Sequence, residues 1–123
     1  MLLKDFYTIN SLTNIEGVKY VATITINKNH EVFKGHFPGN PVTPGVCMMQ
    51  IIKELTQQVV DAPLFMKSAS NIKFMALINP EVNANLKLEL EIAQTEDNTV
   101  KVKNTTFFDN TVALKLTCIY NKN

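Results

Sequence analysis

Arginine is absent from these 123 residues, so the positive charge rests on twelve lysines, scattered among eleven acidic residues for a net charge of +1. A chain so balanced lacks the basic stripe of a nucleic-acid binder, and no such partner is expected. Long apolar runs are missing too: none approaches the roughly 18 residues that a membrane span requires. The opening MLLKDFY has neither the continuous apolar segment nor the small-residue cleavage site of a secretory signal, so a cytoplasmic protein is expected. Cysteine is scarce. Cys47 and Cys118 carry no metal-ligand spacing and sit in apolar stretches, where buried, reduced thiols are expected. Glycine occurs only four times and proline five times. Three of each, Gly35, Gly39, Gly45, Pro38, Pro41 and Pro44, fall around His36 in eleven residues.

What is present fits one folding unit. An apolar fraction of 46% with 19% charged residues is that of a globular protein, and the length suits a single domain spanning residues 1–123. Phe6–Thr13 reads as a strand. Asn14-Ile15-Glu16-Gly17 then suits a turn with positive φ. Val18–Asn27 alternates, with Val18, Tyr20, Ala22, Ile24 and Ile26 on one face, as a half-buried antiparallel strand does. After the proline-rich stretch, the pattern predicts strands over Met66–Leu77, Asn85–Gln94, Val100–Phe108 and Val112–Tyr120, with turns at Thr95–Asn98 and Asp109-Asn110.

Each proline of Gly35–Gly45 removes a backbone donor and fixes φ, which predicts a long, stiff loop. Thr43 is the expected N-cap and Pro44 the first helical residue of a helix running to about Asp61, before Pro63. Val46, Cys47, Met48, Met49, Ile51, Ile52, Leu55 and Val59 make that helix apolar around most of its circumference. Such a helix is buried by something that wraps it. Gln50, Lys53, Glu54 and Gln57 form its one polar stripe. Two strands, one long helix and about four further strands predict an α+β architecture of five to six antiparallel strands wrapped around a central helix.

The run Gly35-His36-Phe37-Pro38-Gly39-Asn40-Pro41-Val42-Thr43-Pro44-Gly45-Val46 resembles the signature of the bacterial 3-hydroxyacyl-acyl-carrier-protein dehydratases, which have the hotdog fold. Ile72–Pro80 followed by Leu86–Ile92 is similar to a later block of the same family. The resemblance implies dehydration of a 3-hydroxyacyl thioester on acyl carrier protein to the 2-enoyl thioester, in fatty-acid or related polyene or polyketide synthesis. It implies no cofactor and no metal. His36 would be the base, suited by an imidazole that titrates near neutrality. The Gly45 amide, at a helix N-terminus, would stabilise enolate-like charge. Phe37, Pro38, Val46 and Met49 would line the substrate site. The family's partners are the phosphopantetheine-linked acyl carrier protein and a second subunit: a homodimer or higher homo-oligomer through a continuous sheet, or a heterodimer with another hotdog chain.

Six residues beyond Pro44, where the family carries Glu or Asp, this chain has Gln50, which neither donates nor accepts a proton at working pH. Losing one general acid lowers a rate by about 10²–10⁴, whereas enzymatic accelerations begin near 10⁶. Three readings of Gln50 stay open: His36 performs both proton transfers while Gln50 orients the hydroxyl or a water; a different hotdog subunit supplies the acid; or the chain binds acyl groups with little catalysis. A thioesterase on the same fold is the weakest alternative. Glu54, about 6 Å further along the helix axis, reads as a solvated position and His30 as a surface residue. Met48, Met49, Met66 and Met75, with Phe33, Phe37, Phe74 and Phe107, read as core filler or as the lining of an acyl tunnel. Lys34, Lys67 and Lys73 read as surface lysines or as attractors of an acidic carrier.

Overall fold

The computed structural model describes residues 4–35, 39 and 41–122. Chain order is β1 (Tyr7–Glu16), β2 (Lys19–Ile26), a short α1 (Val32–Gly35), α2 (Gly45–Val60), β3 (Phe65–Phe74), β4 (Asn85–Gln94), β5 (Thr99–Phe108) and β6 (Thr111–Asn121). All six strands join one antiparallel sheet in the order β1-β2-β4-β5-β6-β3. The alternation of β4 shows why it lies inside the sheet: Leu86, Leu88, Leu90 and Ile92 are buried, and every residue between them from Lys87 to Glu91 is exposed. That apolar face, with Ala22, Ile24 and Ile26 of β2 and Leu114, Leu116 and Cys118 of β6, forms one core with Cys47, Met48, Ile51, Ile52 and Leu55 of α2. Burial of this many aliphatic side chains, each contributing about 1.5–3 kcal/mol, is the main force pinning the helix to the sheet.

The first turn is tighter than Asn14–Gly17, because β1 runs on through Glu16, which pairs with Lys19, and the chain reverses at Gly17-Val18. Asn14 donates its side-chain amide to the Gly17 carbonyl at 3.0 Å, and Gly17 takes φ +55°. Asn98 and Asp109 adopt left-handed φ values of 62° and 53° in the two later hairpins, a conformation that short polar side chains tolerate. Asp61, also left-handed, ends α2 where the sequence places its end.

Val32–Gly35 forms a helical turn that leads into the proline-rich stretch. Three expectations need correction. The N-cap of α2 is Pro44, extended at φ −62° and ψ 143°, with no side-chain cap. Thr43 is held one residue further out, where its N–H donates to the Ile78 carbonyl at 2.8 Å. Finally, the strand expected over Met66–Leu77 is Phe65–Phe74, and nine of its ten residues are exposed. It occupies the sheet's outer edge beside β6, so Phe65, Met66, Ile72 and Phe74, at 41–58% exposure, are not core. The wrapping of α2 is likewise incomplete within one chain, because Val46 is 68% exposed.

Candidate active site

The start of α2 lies in an apolar cleft of about 350 Å³, walled on one side by Val42–Gly45 and Met48 and on the other by Phe74–Ile78. Proline places the chain here: Pro41 and Pro44 are buried, and Pro44 supplies the extended residue from which the helix departs. The Cys47 and Met48 amides both donate to the Pro44 carbonyl. The Gly45 and Val46 amides have no acceptor among the described residues, as the first turn of a helix requires. Gly45 is needed for contact as well as for its amide, since a Cβ there would lie 2.6 Å from the Phe74 ring. Thr43, 7% exposed, has a buried hydroxyl with no hydrogen-bond partner among the described residues.

Of the expected site residues that are described, the cleft takes in Gly45 but not Gln50; Met48, Phe74 and Met75, read as core filler or tunnel lining, also wall it, and Thr43 is added. Val46 and Met49 are on the same helix but do not line it; Met49 is half-buried. His36, Phe37 and Pro38 lie outside the described residues. Met66 and Met75 are exposed rather than core, whereas Met48 and Phe33 are buried. Lys34, Lys67 and Lys73 are all exposed.

Gln50 occupies the polar stripe, half-buried, and its side-chain Nε2 donates to Glu54 Oε2 at 2.9 Å. Tyr7 of β1 donates its hydroxyl to the other carboxylate oxygen, Oε1, at 2.8 Å. Glu54 is thus not the solvated position expected of it. It joins the first strand to the central helix across 47 residues of sequence, a separation that no local pattern reveals. Burial first, and then the hydrogen bond to Glu54 and its charge, push the Tyr7 phenol well above its ordinary value, so it stays a donor.

His30 is also structural rather than superficial. It is half-buried, its Nδ1 accepts from the Val32 N–H, and its Nε2 lies 3.1 Å from the Lys4 carbonyl, while its ring meets Phe6 edge-on. Both thiols are free and buried, and burial raises both above the usual thiol value. Among the described residues no cluster of His, Cys, Asp and Glu has the makings of a metal site, and no helix is long and apolar enough to cross a membrane.

A family model described as "ApeI-like: ApeI dehydratase" matches residues 11–113. Among characterised relatives, the 3-hydroxyacyl-[acyl-carrier-protein] dehydratase FabZ of Lactobacillus helveticus is 31% identical over 94 residues, covering 71% of this chain and 62% of that protein. The FabZ of Zymomonas mobilis is 29% identical over 108 residues, covering 82% and 68%. The chain thus spans about three fifths of the first of these relatives. Among solved structures, a chain of the dehydratase heterocomplex ApeI:P from Xenorhabdus doucetiae superposes with a TM-score of 0.69 at 17% identity, covering 93% of this chain and 96% of that one. An uncharacterised protein from Pyrococcus horikoshii gives 0.64 at 11% identity, covering 92% and 82%. At these identities the structural likeness establishes the hotdog fold.

Proposed function

Because the chain belongs to the ApeI-like dehydratase family, we propose that it eliminates water from a 3-hydroxyacyl thioester borne on acyl carrier protein, giving the 2-enoyl thioester. The observation that supports this reading is the helix start itself: the motif ending in Pro44-Gly45 brings the Gly45 amide, without an acceptor among the described residues, to the wall of an apolar cleft. His36 takes the proton from the carbon beside the thioester carbonyl. The carbonyl oxygen gains charge and is held by the Gly45 amide at the positive end of α2. As the double bond forms, the hydroxyl departs from the third carbon, taking back a proton from the imidazolium of His36 and leaving as water. Gln50, on the helix that in the family belongs to the partner subunit, orients that hydroxyl, and Phe37 and Pro38, together with the cleft wall at Gly45 and Met48, bound the acyl chain. No cofactor enters this scheme, and it belongs to fatty-acid or related polyene or polyketide synthesis in the cytoplasm.

The open edge of β3 supports assembly with a second subunit. Its unpaired backbone groups and exposed Phe65, Met66, Ile72 and Phe74 suit a sheet continued across an interface. A homodimer is the first expectation. The missing carboxylate at Gln50 favours a second reading, in which a different hotdog subunit supplies the acid; the Xenorhabdus neighbour is itself part of a heterocomplex.

The test is to incubate the purified protein with 3-hydroxyacyl-carrier protein and follow the loss of one water by mass. Conversion to the 2-enoyl product is expected. No conversion by the protein alone, with conversion restored by a co-expressed hotdog chain, would replace the first reading with the second.

A further inference from the structure

The sheet face turned away from α2 gathers positive charge at one end. Lys73 of β3, Lys103 of β5 and Lys115 of β6 are exposed there, and all three line a groove of about 290 Å³ that shares no residue with the cleft at Gly45. Register sets their spacing. Lys73 pairs directly with Lys115, and Lys115 pairs with Thr105, two residues along β5 from Lys103. Side chains directly opposed have Cβ atoms about 4.5–5.5 Å apart, and diagonal ones about 7–8 Å. Lys115 thus has one lysine across the strand pair and another on the diagonal.

The chain does little to relieve this crowding. One carboxylate, Glu91, reaches the groove, and it lies opposite Lys103 on one side and Lys19 on the other. Among the described residues the one ion pair joins Lys87 to Glu89, away from all three lysines. Like charges opposed across a strand pair destabilise a sheet, so folding alone does not account for the array. The groove also holds hydrogen-bonding groups: Thr105 and Thr117, both half-buried, and Asn71, set at φ 53° in the bulge between Ser70 and Lys73.

We infer that this groove is a binding site for a diphosphate group. Ammonium groups serve phosphate oxygens as point charges. One phosphate lies between Lys73 and Lys115 and the second between Lys115 and Lys103, while the hydroxyls and the Asn71 amide complete the hydrogen bonds. The site goes beyond the proposed dehydration and does not depend on it. Side chains stand roughly perpendicular to a sheet, so a second subunit pairing with the β3 edge leaves the groove open.

The test is calorimetric titration of the full chain with inorganic diphosphate at low ionic strength, with sulfate at the same ionic strength for comparison. Wild type should bind one diphosphate per chain, and sulfate more weakly. An exposed charge pair contributes about two- to fivefold, so the double variant Lys73→Gln with Lys115→Gln should weaken binding roughly tenfold. Lys28→Gln, beyond the end of β2, should change nothing. Thermal unfolding separates a ligand role from a structural one. Without diphosphate the double variant should melt at or above the wild-type temperature, because the opposed charges are gone, and it should lose the rise in melting temperature that diphosphate gives wild type. No diphosphate binding by wild type, sulfate bound as tightly as diphosphate, or full affinity in the folded double variant overturns the inference.

Discussion

Thr43 stands where a helix cap should, and its hydroxyl caps nothing. The side chain is buried and unpartnered while its own N–H is taken by Ile78 across the cleft. An orphaned hydroxyl carries a desolvation penalty of about 1–3 kcal/mol. Thr43→Val, nearly the same shape, should therefore raise the free energy of unfolding by about 1 kcal/mol, read from denaturant titration. A capping threonine would give the opposite sign, a loss of about 1 kcal/mol. The sequence placed Thr43 before Pro44 correctly, but the bond that decides its role comes from 35 residues downstream and leaves no local trace. Glu54 is a parallel case. Its i, i+4 spacing from Gln50 was legible, whereas its second partner, Tyr7, was not, because strand-to-helix contacts depend on the tertiary fold.

The helix α2 and the strand β3 meet at Gly45, and that contact explains a glycine at a position where φ alone would permit alanine. Adding a methyl brings it onto the far end of the Phe74 ring, an exposed side chain that can swing aside, so the cost lies at or below the low end of the range of about 1–3 kcal/mol for overpacking a closed core. Gly45→Ala should lose stability by that order alone, and lose almost none in a Phe74→Ala background, a double-mutant cycle that isolates the contact. Elements with strong periodicity were legible in advance: β4 runs Asn85–Gln94, as its strict alternation predicts. So was the end of α2, where the chain turns at Asp61 ahead of Pro63. The strand β3 was misplaced by its apolar run, since hydrophobicity without a period does not distinguish an inner strand from an edge strand. The N-terminal turn α1 was hidden by the prolines that follow it.

For the whole molecule, the unbalanced feature is the β3 edge of the sheet, which carries more exposed large apolar side chains than the β1 edge. Exposed edges are usually blunted by charge, bulges or pairing; here a bulge between Ser70 and Lys73, with Asn71 at φ 53°, interrupts the pairing with β6, yet four large apolar side chains remain outside. Sedimentation should find at least a dimer, and Phe65→Lys with Ile72→Lys should shift it toward monomer without unfolding it; a monomeric wild type would refute the interface. The hotdog fold was readable from strand count, the single apolar helix and the proline-rich signature together. The proposed chemistry rests on His36, named by that signature from sequence, and the rate of 2-enoyl formation from a 3-hydroxyacyl thioester is the measurement that tests it most directly. Wild type should turn over, and His36→Ala should be slower by about 10²–10⁴. An undiminished rate in His36→Ala would contradict the account.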